Sequence, residues 1–430
     1  MSARSRYGPI FLSRDSIAGD VYHIADHELI GQMFKWKPTE YNVGEPRQIM
    51  APVTGPSSIL LLDEDRHMRM RKLMLPPFHG EAIAQYEQLI EEITNREIDR
   101  WQAGQRIRTR TVAQVITMEV IIRAVFGITD RGRVAELKRL LPRMSSINPL
   151  LAFESVRRDL GPLSPGGRFF RVRDRVDQML YEQIEQRRHD SNGDGSNDML
   201  TLLLSARDED GNPLSNQELR DELVTLLLAG HETTATSIGW AFERLLRTPQ
   251  ALERLTAEAR AGESTEYVDA VIKETMRVRP VVPEVFRATT ERTELGGYVF
   301  EPKTQLAASI MLVQLDPDLY SPDPHAFRPE RFLEAAPEPY TWVPFGGGVR
   351  RCLGAAFAQL EMKIVISTIL ARAELKAPRE RPEKARFRGV TVNPSRGGEA
   401  IVERVGRRLG QTVGQREALE ERREPGRVGG

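Results

Sequence analysis

The stretch from Ser215 to Pro249 constrains this chain more than any other. Ser215 and Glu218 form a capping box, in which the serine hydroxyl serves one free N–H and the glutamate reaches back to another. Pro249 stops the run, so a helix of some thirty residues, about 45–50 Å long, is predicted between them. A rod of that length crosses a whole domain. Leu223, Leu226, Leu227, Ile238 and Trp240 make much of its surface apolar, so much of it is predicted to be buried.

Short strands and further helices surround that rod. Residues 7–62 mix short apolar pieces with frequent Pro and Gly, predicting strands and loops around one short helix near Ala25–Phe34. Helical periodicity runs from Asp65 to about Trp101, interrupted at Pro76–Pro77. It continues to about residue 188, with breaks near Asn148–Pro149 and at Gly161–Gly167. A polar run, HDSNGDGSND, fills 189–198. After the long helix, shorter ones are expected over about Pro249–Arg260 and Glu266–Arg279, stopped by Gly262 and Pro280. VVPEVF, GGYVF, FRGVTV and AIVERV read as strands, a Pro-rich meander fills 316–344, and a last helix spans about Gly354–Ala373. We divide the chain into one domain over 1–404 and a charged tail over 405–430, predicted to be disordered.

Composition removes several function classes. The 61 basic and 61 acidic side chains cancel, which argues against nucleic acid as a partner and leaves only local patches for docking. No stretch approaches the roughly 18 consecutive apolar residues that a membrane span needs. One cysteine among 430 residues excludes an intrachain disulfide and a Cys-rich zinc site, and fits a reducing, cytoplasmic compartment. Three apparent motifs each lack a ligand. The run at 189–198 resembles a calcium loop but has Thr201 where a bidentate Glu belongs. His231–Glu232 begins like a zinc-protease helix, yet Ala235 stands where the second His is needed. The glycines at 346–348 have no Lys-Ser/Thr of a phosphate loop.

The chemistry concentrates in FGGGVRRCLG, residues 345–354. Three glycines let the backbone pass close to something flat and bulky, and Gly354 leads into the last helix. A cysteine at a helix N-terminus gains thiolate character, and can then be a nucleophile or a metal ligand. The alternative for Cys352 is a small buried hydrophobe.

This segment matches the haem-thiolate signature F-x-x-G-x-R-x-C-x-G at every fixed position, and so resembles the cytochromes P-450. KETMR (273–277) resembles the family's Glu-x-x-Arg, and FRPERF (327–332) its meander motif. AGHETT (229–234) is similar to the oxygen-activation motif, and HMRMR (67–71) to the helix that reaches a haem propionate. The five occur in family order, and the likeness covers about Tyr7 to Val402. Relatives carry a longer lead before a YGPIF-like segment, which here begins at Tyr7. With no microsomal-type membrane anchor, the chain resembles the soluble bacterial type.

The resemblance implies a mainly α fold with small β-sheets, a single large domain, and a monomer. It implies haem b, with Cys352 as the iron ligand whose thiolate favours O–O cleavage, and with O2 as co-substrate. Phe345 would shield the sulfur, and backbone N–H groups around Gly354 would soften its charge. His67, Arg71, Arg287 and Arg350 would pair with the propionates. Glu274, Arg277 and Arg331 would form a buried structural network. On the long helix, Glu232 and Thr233 supply an acid and an alcohol for proton delivery, while Gly230 lets the helix open a groove. Leu226, Leu227, Ala229, Gly230, Val282, Val285 and Phe286 are candidates for an apolar substrate pocket. The expected reaction is hydroxylation of an apolar small molecule (fatty acid, terpenoid or steroid). A separate ferredoxin- or flavodoxin-type donor with its reductase would supply two electrons. Two alternatives stand beside it: a peroxide-driven peroxygenase or isomerase on the same fold, and a non-enzymatic haem sensor or carrier.

Overall fold

The computed structural model describes residues 6–15, 19–78, 80–145, 161, 164–190 and 198–407. The predicted break near Asn148–Pro149, positions 191–197 of the calcium-like run, and the tail beyond 407 lie outside the described residues.

The predicted rod is present as an unbroken helix over Asn216–Leu245, thirty residues long. Its capping box is formed: Ser215 Oγ accepts from the Glu218 N–H at 3.2 Å, and Glu218 accepts from the Ser215 N–H at 2.8 Å. Leu219, Leu223, Leu227, Ile238 and Phe242 enter the main hydrophobic core. Helices Thr109–Val120, Glu266–Val278 and Ala355–Arg372 pack around the rod. Gly230 does not interrupt it, so the groove expected there is not a helix break. Next to it, Thr109–Val120 runs on into a π-helical turn, Ile121–Val125.

A five-stranded sheet forms a second layer. Its spatial order is Ile10–Asp15, Gly19–Ile24, Gln305–Ala308, Val285–Thr289 and Tyr41–Asn42, and only the second and third of these strands run parallel. A separate small core of Ile24, Ile30, Met33, Phe34, Leu306 and Ile310 lies against it. This layer carries Arg287 and the Phe34 region toward the cysteine loop.

Three local expectations change. Gly166 and Gly167 lie in the first turn of the helix Pro165–Asp190, because glycine weakens a helix by only about 1 kcal/mol and Pro165 is well placed at its start. FRGVTV is a hairpin, not one strand: Ala385–Arg388 pairs with Thr391–Pro394 across Gly389. GGYVF likewise contributes the turn Gly296–Gly297 and only the strand Tyr298–Phe300.

Candidate active site

The cysteine loop is shaped by its glycines. A Cβ on Gly347 would lie 2.1 Å from the Phe34 ring, and one on Gly348, at φ +65°, would lie 2.0 Å from the Phe34 carbonyl oxygen. No larger residue fits, so the loop passes flat over the small core. The Cys352 N–H donates to the Phe345 carbonyl at 2.9 Å, closing the loop, and Gly354 caps the helix Ala355–Arg372. The Phe345 ring stands edge-on to Trp342, with centroids 6.3 Å apart. The Cys352 residue is exposed rather than packed into the core. Burial by the surrounding protein raises its thiol pKa, opposed by the Gly354 N–H and by the charges of Arg71 and Arg351. A metal ion at the sulfur would reverse that balance.

Cations gather beside the loop. Arg350 donates to the Leu62 carbonyl at 2.7 Å and to Asp63 at 2.5 Å. Arg287 is buried, donates one N–H to the Met33 carbonyl, and lies 4.0 Å over the Tyr41 ring. Its Nη2 is buried with no hydrogen-bond partner, and so is His67 Nδ1. Burial, then repulsion from Arg350, pulls the Arg287 guanidinium down to about 10. Burial, then Arg350, Arg71 and Arg47, pulls the His67 imidazole down to about 3. His67 is therefore neutral here. Arg71 is half-buried and makes no ion pair among the described residues. Asp63 is the carboxylate that meets this group, and it also accepts the N–H groups of Val43 and Gly44.

The Glu274 network is different in kind. Glu274 and Arg277 are fully buried and joined by two hydrogen bonds, at 2.7 and 2.8 Å. Arg331 adds a third contact to Glu274 at 3.2 Å, and the Arg328 N–H a fourth at 2.8 Å. The remaining N–H groups of Arg277 reach the carbonyls of Gln314, Pro324 and Ala326. Each charge here has its partners.

On the long helix, Leu226, Ala229, Gly230 and Thr233 share one stripe and are not fully buried, although the helix runs through the core. Leu227, by contrast, is buried at 1% exposure in the main core, pointing away from that stripe. Thr233 donates to the Ala229 carbonyl at 2.6 Å. Glu232 is held by the neighbouring helix: Arg110 pairs with one carboxylate oxygen, and Gln114 donates to the other at 2.8 Å. Val282 is half-buried. Val285 and Phe286 are consecutive in one strand and so face opposite sides of it. Val285 packs on the small core with its Cγ1 4.0 Å from the Cβ position of Gly346, while Phe286 is 38% exposed.

These donors suit a haem. One exposed sulfur has the Gly354 N–H aimed at it, and the buried Nη2 of Arg287 and Nδ1 of His67 await acceptors such as propionate oxygens. Sequence reasoning missed Arg110 and Gln114, as well as Arg47 and Asp63. Arg110 and Gln114 stand four apart on one helix, which signals a polar stripe without naming what it meets. Among the described residues, no group of three His, Cys, Asp or Glu side chains could hold a metal ion by itself. No described helix is long and apolar enough to cross a membrane.

Comparison with known proteins agrees with this arrangement. The chain is 38% identical over 401 residues to cytochrome P-450 135B1 of Mycobacterium tuberculosis, covering 92% of this chain and 85% of that one. It is likewise 38% identical to cytochrome P-450 138 of the same organism, over 93% of this chain and 90% of the relative. Its fold superimposes on retinoic acid bound cyanobacterial CYP120A1 with a TM-score of 0.79 at 24% identity, covering 94% of this chain and 93% of the other. The family model for cytochrome P-450 matches residues 1–401, and the chain belongs to that family of haem-dependent monooxygenases.

Proposed function

We propose that this monooxygenase uses haem b and dioxygen to hydroxylate an apolar small molecule of the fatty-acid, terpenoid or steroid class. Two electrons come from a separate ferredoxin- or flavodoxin-type donor with its reductase, and the enzyme works as a cytoplasmic monomer. The observation that carries this reading is the lone thiol of Cys352, exposed rather than packed into the core, together with the buried, unpartnered Arg287 Nη2 and His67 Nδ1. Haem, when bound, supplies an iron centre at which dioxygen is reduced and one of its atoms is transferred to substrate.

The chain's own residues do the rest. Cys352 ligates as the thiolate, and the Gly354 N–H holds part of its charge. Arg71, Arg287 and Arg350 take the propionates, and neutral His67 adds an N–H donor. Arg277 and Arg331, balanced by Glu274, hold the supporting structure. Because the Thr233 hydroxyl spends its proton on the Ala229 carbonyl, its lone pairs are left to accept from a water in the pocket. Glu232 relays protons toward that water. Of its two partners, neutral Gln114 is held less strongly than charged Arg110, so Gln114 is the one that yields. Leu226, Ala229 and Gly230 give the pocket an apolar wall. The structural neighbour's retinoic acid is of the same apolar class, which supports this choice of substrate.

The test is spectroscopic. Reduced protein under carbon monoxide should show the thiolate-type Soret band, and Cys352→Ala should lose it. A band of the histidine-ligated type in the wild-type protein would overturn the reading.

A further inference from the structure

Outside the site, one unusual titratable group is Glu222 on the long helix. It is fully buried, and one oxygen accepts the Ile59 N–H at 2.6 Å. Its other oxygen is buried with no partner. Neighbouring Asp221 is balanced by Arg220 at 3.0 Å, and Arg220 is further held by Asp177. Among the described residues Glu222 has no such cation, and burial pushes its carboxyl well above the usual range.

Glu222 does not stand alone. The strap 54–60 lies along this part of the helix: Arg220 donates to the Thr54 carbonyl, Asp221 accepts the Ser57 N–H at 3.0 Å, and the hydroxyls of Thr225 and Ser58 lie 2.7 Å apart. The approach is so close that a Cβ on Gly55, at φ +87°, would meet the Asp221 carboxylate at 2.0 Å. From its other side the same strap is held by Arg350, which donates to the Ile59 carbonyl at 3.4 Å.

Helix geometry gives this contact its meaning. Residues 222, 226, 229 and 233 recur at steps of four, three and four, so Glu222 continues the stripe of Leu226, Ala229 and Thr233. It lies about 16 Å along the axis from Thr233. Exposure falls along that stripe, from Ala229 through half-buried Leu226 to buried Glu222, where the strap covers it.

We propose that Glu222 is a positioning residue for the substrate pocket: its carboxyl latches the strap 54–60 over the far end of the pocket stripe, and release of the latch admits substrate. Glu222 contributes one hydrogen bond to a strap that Arg220, Asp221, Thr225 and Arg350 also hold, while its second oxygen goes unsatisfied, which offsets part of its gain on closing. This inference rests on the assignment of the Leu226–Thr233 stripe to the substrate pocket.

The experiment uses haem-loaded protein and 4-phenylimidazole, a bulky azole that ligates ferric haem through nitrogen. Glu222→Ala should bind it about ten-fold faster than wild type, the population shift expected when one such hydrogen bond is lost. The Ile59 amide should exchange with deuterium faster by a similar factor. Glu222→Gln keeps an acceptor oxygen for Ile59 and should restore both values. Should the alanine variant fail to fold, Thr225→Ala loosens the same strap through Ser58 and should speed both processes to a lesser degree. Faster Ile59 exchange with an unchanged association rate overturns the latch, and so does unchanged exchange. A wild-type holoprotein whose spectrum is indifferent to 4-phenylimidazole overturns the pocket assignment instead.

Discussion

Two groups of buried charge differ sharply in how they are balanced. Around Glu274, two arginines, three backbone carbonyls and a backbone N–H leave neither Glu274 nor Arg277 with an unmatched charge or polar atom. Around Arg287, positive groups crowd together: Arg47, Arg71 and Arg350 border neutral His67, with Asp63 between them and buried N–H groups unsatisfied. Burying a charge is costly unless it is paired, so the first arrangement serves the fold and the second is shaped for something anionic. The two carboxylates of one cofactor, the haem propionates, would meet that need.

Breaking the first group should have the largest effect. Glu274→Ala strands Arg277 and Arg331, and should lower unfolding stability by about 3–5 kcal/mol. Denaturant melts should show this loss with and without haem; a loss confined to the haem-loaded form would make the network part of the cofactor site. Breaking the second group should do the reverse. Arg287→Ala removes a cation that lacks its full complement of partners, so apoprotein stability should hold or rise. Haem loss to an acceptor protein should accelerate by about ten- to a hundred-fold, as expected for one charge-assisted bond of about 1.5–3 kcal/mol. An apoprotein destabilised as much as Glu274→Ala would erase the contrast.

A smaller, pH-dependent signature follows from His67. Its folded pKa of about 3 lies below the ordinary 6.5, so the unfolded chain binds the extra proton across that interval. Apoprotein stability should therefore fall as pH drops from 6.5 toward 3, and His67→Gln should flatten this fall. Haem should also reduce it, since propionates would offset the neighbouring arginines. Equal pH slopes for wild type and His67→Gln would remove His67 from the group. The smallest effect concerns Arg351, exposed at the edge of the cysteine loop. If it docks an acidic electron donor, Arg351→Glu should slow reduction a few-fold at low salt and less at high salt, because screening acts within about 10 Å at 0.1 M. Reduction rates indifferent to both changes would confine the charge argument to the interior.

Much of this was readable along the chain. The capping box at Ser215–Glu218 and Pro249 bounded the long helix to within a few residues, because caps and breakers act locally. The cysteine loop and the Glu274–Arg277 spacing were legible for the same reason: their partners are near in sequence or tied to a rigid pattern. Turn chemistry was less so. FRGVTV looked continuous because β-branched residues dominate it, yet Gly389 turns the chain back on itself. Side choice was harder still. Leu226 and Leu227 are indistinguishable by type, but one lies on the open stripe and the other in the core.

The sequence by itself determined the local devices: where helices begin and stop, where glycine must stand, and which residue is the lone thiol. Only the tertiary structure decided which charges are balanced. Arg110 meets Glu232 across 122 positions, Ile59 meets Glu222 across 163, and Arg350 meets Asp63 across 287. The reason is physical. A cap or a turn is stabilised by neighbours within a few residues, whereas the cost of a buried charge depends on every group that folding brings near it, however distant in the chain.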